Sequence, residues 1–111
     1  MEHQMNLWHG PFTKMREGIK TIEMRLYDEK RSVISIGDTI VFTDVTNGEQ
    51  IRCHVLNLHR YPSFEELYAH HDKISLGYEE NEEADPKDMG QFYPKEEMRK
   101  YGVIGIEISK L

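Results

Sequence analysis

Three charged residues close together in the sequence, Lys20, Glu23 and Arg25, are the group best suited to hold a polar ligand. Side chains alternate along an extended segment, so Glu23 and Arg25 share one face of a predicted strand. Lys20 falls on the other face of an extended strand, so it joins Glu23 and Arg25 only if the chain bends before the strand. Arginine offers phosphate a two-pronged donor, and lysine offers a compact charge. These residues predict a cleft for a phosphate or a nucleobase edge; the alternative is a strand-end ion pair with Lys20 in solvent.

Aromatic and basic residues elsewhere in the sequence are further candidates for the same cleft. Trp8 presents a ring on which a base can stack, although a core position is the favoured interpretation. Arg60 and Tyr61 follow the longest predicted strand and are assigned to the cleft, with an ordinary strand end as the alternative. Lys30 and Arg31 fit a solvated turn, with phosphate contact as the alternative.

Neither cysteine nor histidine forms a metal-binding pattern. Cys53 is the only cysteine, which excludes an intrachain disulfide and paired-cysteine zinc sites. His70 and His71 are adjacent, so on a helix they point in different directions, and the other four histidines are scattered. We therefore expect no metal and no cofactor. Phe92 and Tyr93, beside Pro94, are interpreted as covering the edge of the sheet, with stacking on a ligand as the alternative.

The acidic charge is confined to one segment. The chain has 20 acidic and 14 basic residues, a net charge of -6, which excludes a simple polybasic nucleic-acid binder and a basic membrane-surface helix. Residues 65–88 hold nine acids and two bases, whereas residues 1–64 hold eight of each. The acidic segment is interpreted as a solvated loop or, alternatively, as a lid over a site built elsewhere. A small ligand in a local cationic pocket remains compatible with this charge.

Length and hydropathy predict one domain that does not enter a membrane. The 111 residues are one domain's worth, assigned as 1–111. The first residues lack the basic start and apolar run of a signal peptide, and no stretch approaches the ~18 apolar residues of a membrane helix. We expect a cytoplasmic location.

The hydrophobic pattern predicts the elements that position the charged cluster. Strands are predicted at residues 5–8, 20–26, 39–43, 51–58 and 103–108. Asn47-Gly48 predicts a tight hairpin, and Ser63 with Glu66 predicts a capping box that opens a helix. Asp28 to Ser32 is predicted as a polar turn and residues 72–91 as irregular. The pattern predicts an α+β but mostly β fold: a small mixed or antiparallel β-barrel of about five to six strands with short flanking helices.

The segment Gly18-Ile19-Lys20-Thr21-Ile22-Glu23-Met24-Arg25 resembles the G-x-K-x-x-E-x-R signature of the ASCH domain family. Residues 36–42, 61–67 and 100–108 are also similar to the small stand-alone bacterial members. The resemblance covers nearly the whole chain and implies a PUA-like β-barrel. It further implies that the partner is RNA, a nucleotide or a modified nucleoside. Gly18 is then the motif glycine, and Lys20, Glu23 and Arg25 line the ligand cleft.

One bacterial branch of this family deacetylates N4-acetylcytidine with a lysine, a threonine three residues later and a glutamate. Lys20 matches the lysine, but Glu23 stands where that branch has threonine, and Thr21 lies at another offset. A carboxylate beside Lys20 favours its protonated form and opposes nucleophilic attack. We therefore predict a binding domain; the alternatives are an amidohydrolase on N4-acetylcytidine-like nucleosides, with Lys20 and Glu23 catalytic, or a protein-interaction domain.

Overall fold

Five strands form one curled sheet in a computed structural model that describes residues 1–111. The strands are β1 (Glu2–Leu7), β2 (Ile22–Leu26), β3 (Thr39–Asp44), β4 (Gln50–Tyr61) and β5 (Val103–Lys110). The helices are α1 (His9–Arg16), α2 (Glu29–Ser32), α3 (Phe64–His70), α4 (Lys73–Leu76) and α5 (Lys95–Tyr101), with a 3-10 helix at Pro86–Gln91. None of these helices has the length and apolar character needed to span a membrane.

The sheet has the order β1-β3-β4-β5-β2, so β1 and β2 are its two edges. β1 runs parallel to β3, and the other neighbours are antiparallel. The result is a mixed half-barrel whose open seam lies between β1 and β2. This confirms the predicted small mixed β-barrel fold with short flanking helices. The β-branched run of β5 places it in the sheet interior, where its residues Val103 to Ile106 are buried.

The β3–β4 hairpin turns at the predicted Asn-Gly pair. Gly48 has φ +77°, a left-handed conformation that glycine adopts without a steric penalty. Its backbone N–H donates to the carbonyl of Asp44 over 2.8 Å, and the Asn47 side-chain oxygen accepts from the Glu49 backbone N–H over 2.9 Å. The turn fixes the register in which Phe42 faces Ile51.

Two hydrophobic clusters hold the helices against the sheet. In the first, Phe12 and Met15 of α1 pack with Ile40 and Phe42 of β3. The second joins helical and loop residues of the chain's second half to β2 and β5: Ile22, Leu26, Phe64, Leu67, Leu76, Met89 and Val103. Because Leu76 and Met89 are both buried in it, the stretch between them is anchored at both ends. Leu76 and Met89 therefore pack against the sheet, while Glu79 to Glu83 between them are exposed.

Local structure departs from the sequence predictions in several details: β2 begins at Ile22 rather than at residue 20, and two further segments contain helices. Asp28 to Ser32, predicted as a turn, contains the short helix α2, because the Asp28 carboxylate caps it by accepting from the Arg31 backbone N–H over 3.1 Å. Residues 72–91, predicted as irregular, contain α4 and the 3-10 helix. The predicted cap of α3 is confirmed, since the Ser63 hydroxyl accepts from the Glu66 backbone N–H over 3.3 Å.

Candidate functional site

Lys20, Glu23 and Arg25 converge into one buried charged cluster. The Lys20 Nζ lies 3.4 Å from Glu23 Oε1, while Arg25 Nη2 and Nε lie 2.6 and 2.7 Å from Glu23 Oε2. Lys20 is only 3% exposed and Glu23 5% exposed. One carboxylate therefore lies between two cations, away from bulk water. The alternative prediction of a solvated Lys20 is wrong.

The bend that Lys20 requires is made at the motif glycine. Gly18 ends the turn after α1 with φ +79°, in open space, so the position requires the left-handed backbone conformation. The Ile19 and Lys20 backbone N–H groups both donate to the Lys14 carbonyl, at 2.9 and 3.2 Å. Lys20 thus lies before β2 begins at Ile22, and strand parity does not govern its direction.

The ammonium group of Lys20 is surrounded by acceptors. Its Nζ donates to the backbone carbonyls of Ile22 and Leu76 over 2.6 and 2.9 Å, in addition to its contact with Glu23. Three acceptors match the three N–H donors of an ammonium. Gly77 makes room for the lysine stem, because a Cβ there would lie 3.2 Å from Lys20 Cδ.

Burial and the neighbouring charges act in opposite directions on the pKa values of Lys20, Glu23 and Arg25. Burial lowers the pKa of Lys20, although Glu23 opposes the shift. Burial raises the pKa of Glu23, but Arg25 and Lys20 outweigh it and the net pKa lies below the ordinary value. Burial likewise lowers the pKa of Arg25, and Glu23 reverses that effect, so its pKa is raised. Glu23 is therefore a firmly ionised carboxylate.

Arg25 also connects the two edges of the half-barrel. Its Nη2 donates to the backbone carbonyl of Asn6 over 2.8 Å, and this links β2 to β1. The charged cluster therefore lies at the open seam of the sheet, where neither edge strand has a further strand beside it.

A cleft of about 660 Å³ opens above this cluster. An aromatic wall, formed by Trp8, Phe92 and Tyr93, stands on one side, with Trp8 packed edge-to-face on Phe92 at a centroid distance of 5.0 Å. Trp8 is 59% exposed, so the favoured prediction of a core tryptophan is wrong. Phe92 and Tyr93 were predicted to cover the sheet edge; together with Trp8 they give the cleft a surface on which a planar ring can stack.

The acidic segment also lines the cleft, through Tyr78, Glu82 and Asp88. The Tyr78 hydroxyl lies 2.8 Å from both the Asp88 carboxylate and the Tyr68 hydroxyl. An ionised carboxylate has no proton, so Tyr68 donates to Tyr78 and Tyr78 donates to Asp88. Burial, first, and these hydrogen bonds raise the pKa of Tyr78, so it stays a neutral donor. The Lys14 Nζ donates to the Gly77 carbonyl over 2.7 Å and so links α1 to this segment.

The lining of the cleft is less acidic than the chain as a whole. Its charged side chains are four basic and three acidic ones: Lys14, Lys20, Arg25, Arg31, Glu23, Glu82 and Asp88. The whole chain has a net charge of -6. The cleft is therefore a local region where an anionic or polar ligand meets no excess of negative charge.

Arg60 and Tyr61 lie outside the cleft, contrary to their assignment. The Arg60 guanidinium stacks over the Tyr27 ring at 3.7 Å, and the Tyr61 hydroxyl lies 2.9 Å from His71 Nε2. The reason is strand order: β5 lies between β4, which carries them, and β2. Thr21 is also elsewhere, in a smaller depression of about 360 Å³ beside Leu56.

Four residues of the cleft were not predicted from the sequence, because no local pattern connects positions so far apart in the chain: Lys14, Tyr78, Glu82 and Asp88. Only the burial of Leu76 and Met89 brings their segment to the seam. No set of three or more His, Cys, Asp or Glu side chains is arranged in a way that could hold a metal ion.

A curled five-stranded mixed sheet with a charged cleft at its seam defines a protein of the PUA-like class. The ASCH domain family model matches residues 5–111, and the chain belongs to the ASCH domain family. This family is PUA-like and is linked to RNA binding.

Solved structures agree with this assignment. The hypothetical protein PH0355 is 31% identical with a TM-score of 0.84, and the match covers 100% of both chains. Protein PF0455 from Pyrococcus furiosus is 33% identical with a TM-score of 0.73, over 100% of this chain and 98% of that one. A mutant of ZmASCH from Zymomonas mobilis, 13% identical, has a TM-score of 0.60 over 97% of this chain and 67% of that one, which supports the fold alone. No curated protein matches the chain.

Proposed function

We propose that the cleft binds a nucleobase-containing ligand: a modified nucleoside, a nucleotide or an exposed residue of single-stranded RNA. The observation that carries this proposal is the position of the aromatic wall beside the Lys20–Glu23–Arg25 cluster in one cleft. A base offers a flat face and a polar edge, and the site offers a surface for each.

The chemistry of the cluster suits the polar edge of a base. Glu23 accepts hydrogen bonds only, so it complements an exocyclic amine. Arg25 donates only and complements a carbonyl or a ring nitrogen. Both side chains are fixed by their mutual contacts and by the hydrogen bond from Arg25 to the Asn6 carbonyl. Ligand binding therefore costs little side-chain conformational entropy.

The shape and charge of the site favour a small ligand or a single nucleotide unit. Glu82 and Asp88 line the wall formed by the acidic segment, and repulsion between this wall and a long polyanion opposes extended contact. The concave shape of the cleft also favours a small planar ligand over a protein partner.

Binding can be measured through Trp8, the only tryptophan of the chain. Titration with nucleosides, nucleotides and short single-stranded RNA is expected to quench its fluorescence as a base stacks on the exposed ring. Calorimetry should show that Trp8→Ala weakens binding by roughly 5- to 100-fold, the equivalent of losing one base–aromatic stack.

Arg60→Gln is the control, because Arg60 lies outside the cleft and its loss should leave the affinity unchanged. Absence of any fluorescence or calorimetric response to the whole panel would refute the proposed function. An equal loss of affinity in Trp8→Ala and Arg60→Gln would place the ligand elsewhere on the surface.

Hydrolysis of N4-acetylcytidine is disfavoured by the surroundings of Lys20. Burial lowers the pKa of Lys20 and so favours the neutral amine, but a nucleophile also needs a free lone pair, and the Lys20 Nζ is surrounded by three acceptors and adjoins the ionised Glu23. Thr21 does not line the cleft. We expect the purified protein to release no acetate from N4-acetylcytidine. Acetate release that disappears in Lys20→Ala would establish the amidohydrolase instead.

A further inference from the structure

Arg31 has a guanidinium edge for which the protein supplies no partner. Its Nη1 donates to the Asp28 carboxylate over 2.9 Å, and its Nε is shielded from water without any acceptor. This Nε is the only buried side-chain nitrogen or oxygen of the chain that lacks a hydrogen-bond partner. Buried donors in native proteins are nearly always satisfied, so an orphan of this kind calls for a missing acceptor.

The guanidinium group with the unpartnered Nε belongs to Arg31, a residue that lines the cleft. Arg31 lines the cleft together with Arg25 and Tyr93, and its side chain is 16% exposed. Burial raises the pKa of Tyr93, while the charges of Arg25 and Arg31 both lower it. Two arginines therefore line the same cleft as the Tyr93 ring.

The helix α2 presents Arg31 in a fixed position. Asp28 accepts from both the Arg31 backbone N–H and its Nη1, so one carboxylate holds the main chain and the side chain together. A guanidinium has two edges that can each form paired hydrogen bonds. Because Asp28 occupies Nη1, Nη2 is left for a ligand, and the shielded Nε can pair with the same ligand only once it is uncovered.

We propose that Arg31 is a phosphate subsite of the cleft, so that the ligand is a phosphorylated nucleotide unit whose base stacks on the aromatic wall. This inference rests on the proposed function and adds the phosphate to it. Phosphate oxygens in a planar pair are the acceptors that an arginine edge fits best. A free mononucleotide and one unit of an RNA strand both carry this group.

The test compares the common ribonucleosides with their 5′-monophosphates by calorimetry. For the wild-type protein we expect the monophosphate to bind about tenfold more tightly or better than the nucleoside, as a charge-assisted contact provides. Arg31→Gln should remove this difference between monophosphate and nucleoside, and Arg31→Lys should restore only part of it, because lysine lacks the paired donors.

Lys30→Gln is the matched control, since Lys30 is the neighbouring residue of α2, carries the same charge and does not line the cleft. It should keep the full preference for the monophosphate. If Arg31→Gln keeps that preference, or if the wild-type protein binds nucleosides and shows no preference, the phosphate subsite is overturned while the proposed function stands. If no nucleoside or nucleotide binds at all, both fail.

The source of the phosphate is resolved with two short single-stranded oligoribonucleotides, one with a 5′-terminal phosphate and one without. If the binding affinity depends on Arg31 only for the phosphorylated strand, the ligand is a mononucleotide or a strand end. If the affinity depends on Arg31 for both strands, the ligand is a phosphodiester within RNA. Either result supports the subsite.

Discussion

Replacing Glu23 with Gln is expected to lower the free energy of unfolding by about 3–5 kcal/mol, because Lys20 and Arg25 then lie buried without their counter-charge. Glutamine keeps the size of the side chain, so the loss reports on charge rather than on packing. Urea denaturation at neutral pH measures this loss directly. The exposed pair of Arg16 and Glu49 provides the control, and Glu49→Gln should change stability little.

The same substitution should alter the response to acid. The pKa of Glu23 is lowered in the folded state, so its stabilising effect is complete above the ordinary glutamate pKa of 4.5 and is lost as the pH falls through the lower folded value. The difference in stability between wild type and Glu23→Gln should therefore narrow below about pH 4.5. A constant difference down to strongly acidic pH would contradict the proposed ionised cluster.

Replacing Gly77 with Ala is expected to damage both stability and the cleft. Gly77 has φ +107°, which costs an alanine roughly 1–2 kcal/mol. The added Cβ would also lie 3.2 Å from Lys20 Cδ, so the lysine must shift and its contact with Glu23 is disturbed. We expect lower thermal stability together with weaker ligand binding.

Gly48→Ala separates the effect of backbone strain from the effect of displacing Lys20. Gly48 also has a left-handed backbone, with φ +77°, but a Cβ there meets no atom within 4 Å. The hairpin variant should lose a similar amount of stability and bind ligand normally. Equal binding by Gly77→Ala and the wild-type protein would show that the position of Lys20 does not matter for the ligand.

Local chemistry was readable in the sequence at the hairpin turn and at the start of α3, although the Asp28 cap of α2 was missed. The Asn47-Gly48 turn and the Ser63 cap depend on backbone preferences of neighbouring residues, and both are present. The convergence of Lys20 with Glu23 needed one added condition, a bend before the strand, and Gly18 provides it. The charged cluster itself was therefore predictable from a short segment.

The rest of the cleft depends on contacts that are distant in sequence. Trp8 was favoured as a core residue because large aromatic side chains are usually buried, yet at the seam it packs on Phe92 and stays exposed. Arg60 and Tyr61 were assigned to the cleft from their position after a strand, but the strand order sets them apart from it. Strand order across a sheet is not encoded in any local pattern.

The bond from Arg25 to the Asn6 carbonyl has a consequence for self-association. β1 and β2 are edge strands, and an unpaired edge is a template on which another chain can add a strand. By donating to the Asn6 carbonyl, the Arg25 side chain occupies one backbone acceptor of β1 and places a charged group at this edge. Arg25, which is proposed to bind the ligand, is thus also expected to oppose strand addition at this edge. Loss of this arginine should produce oligomers in solution as well as weaker ligand binding.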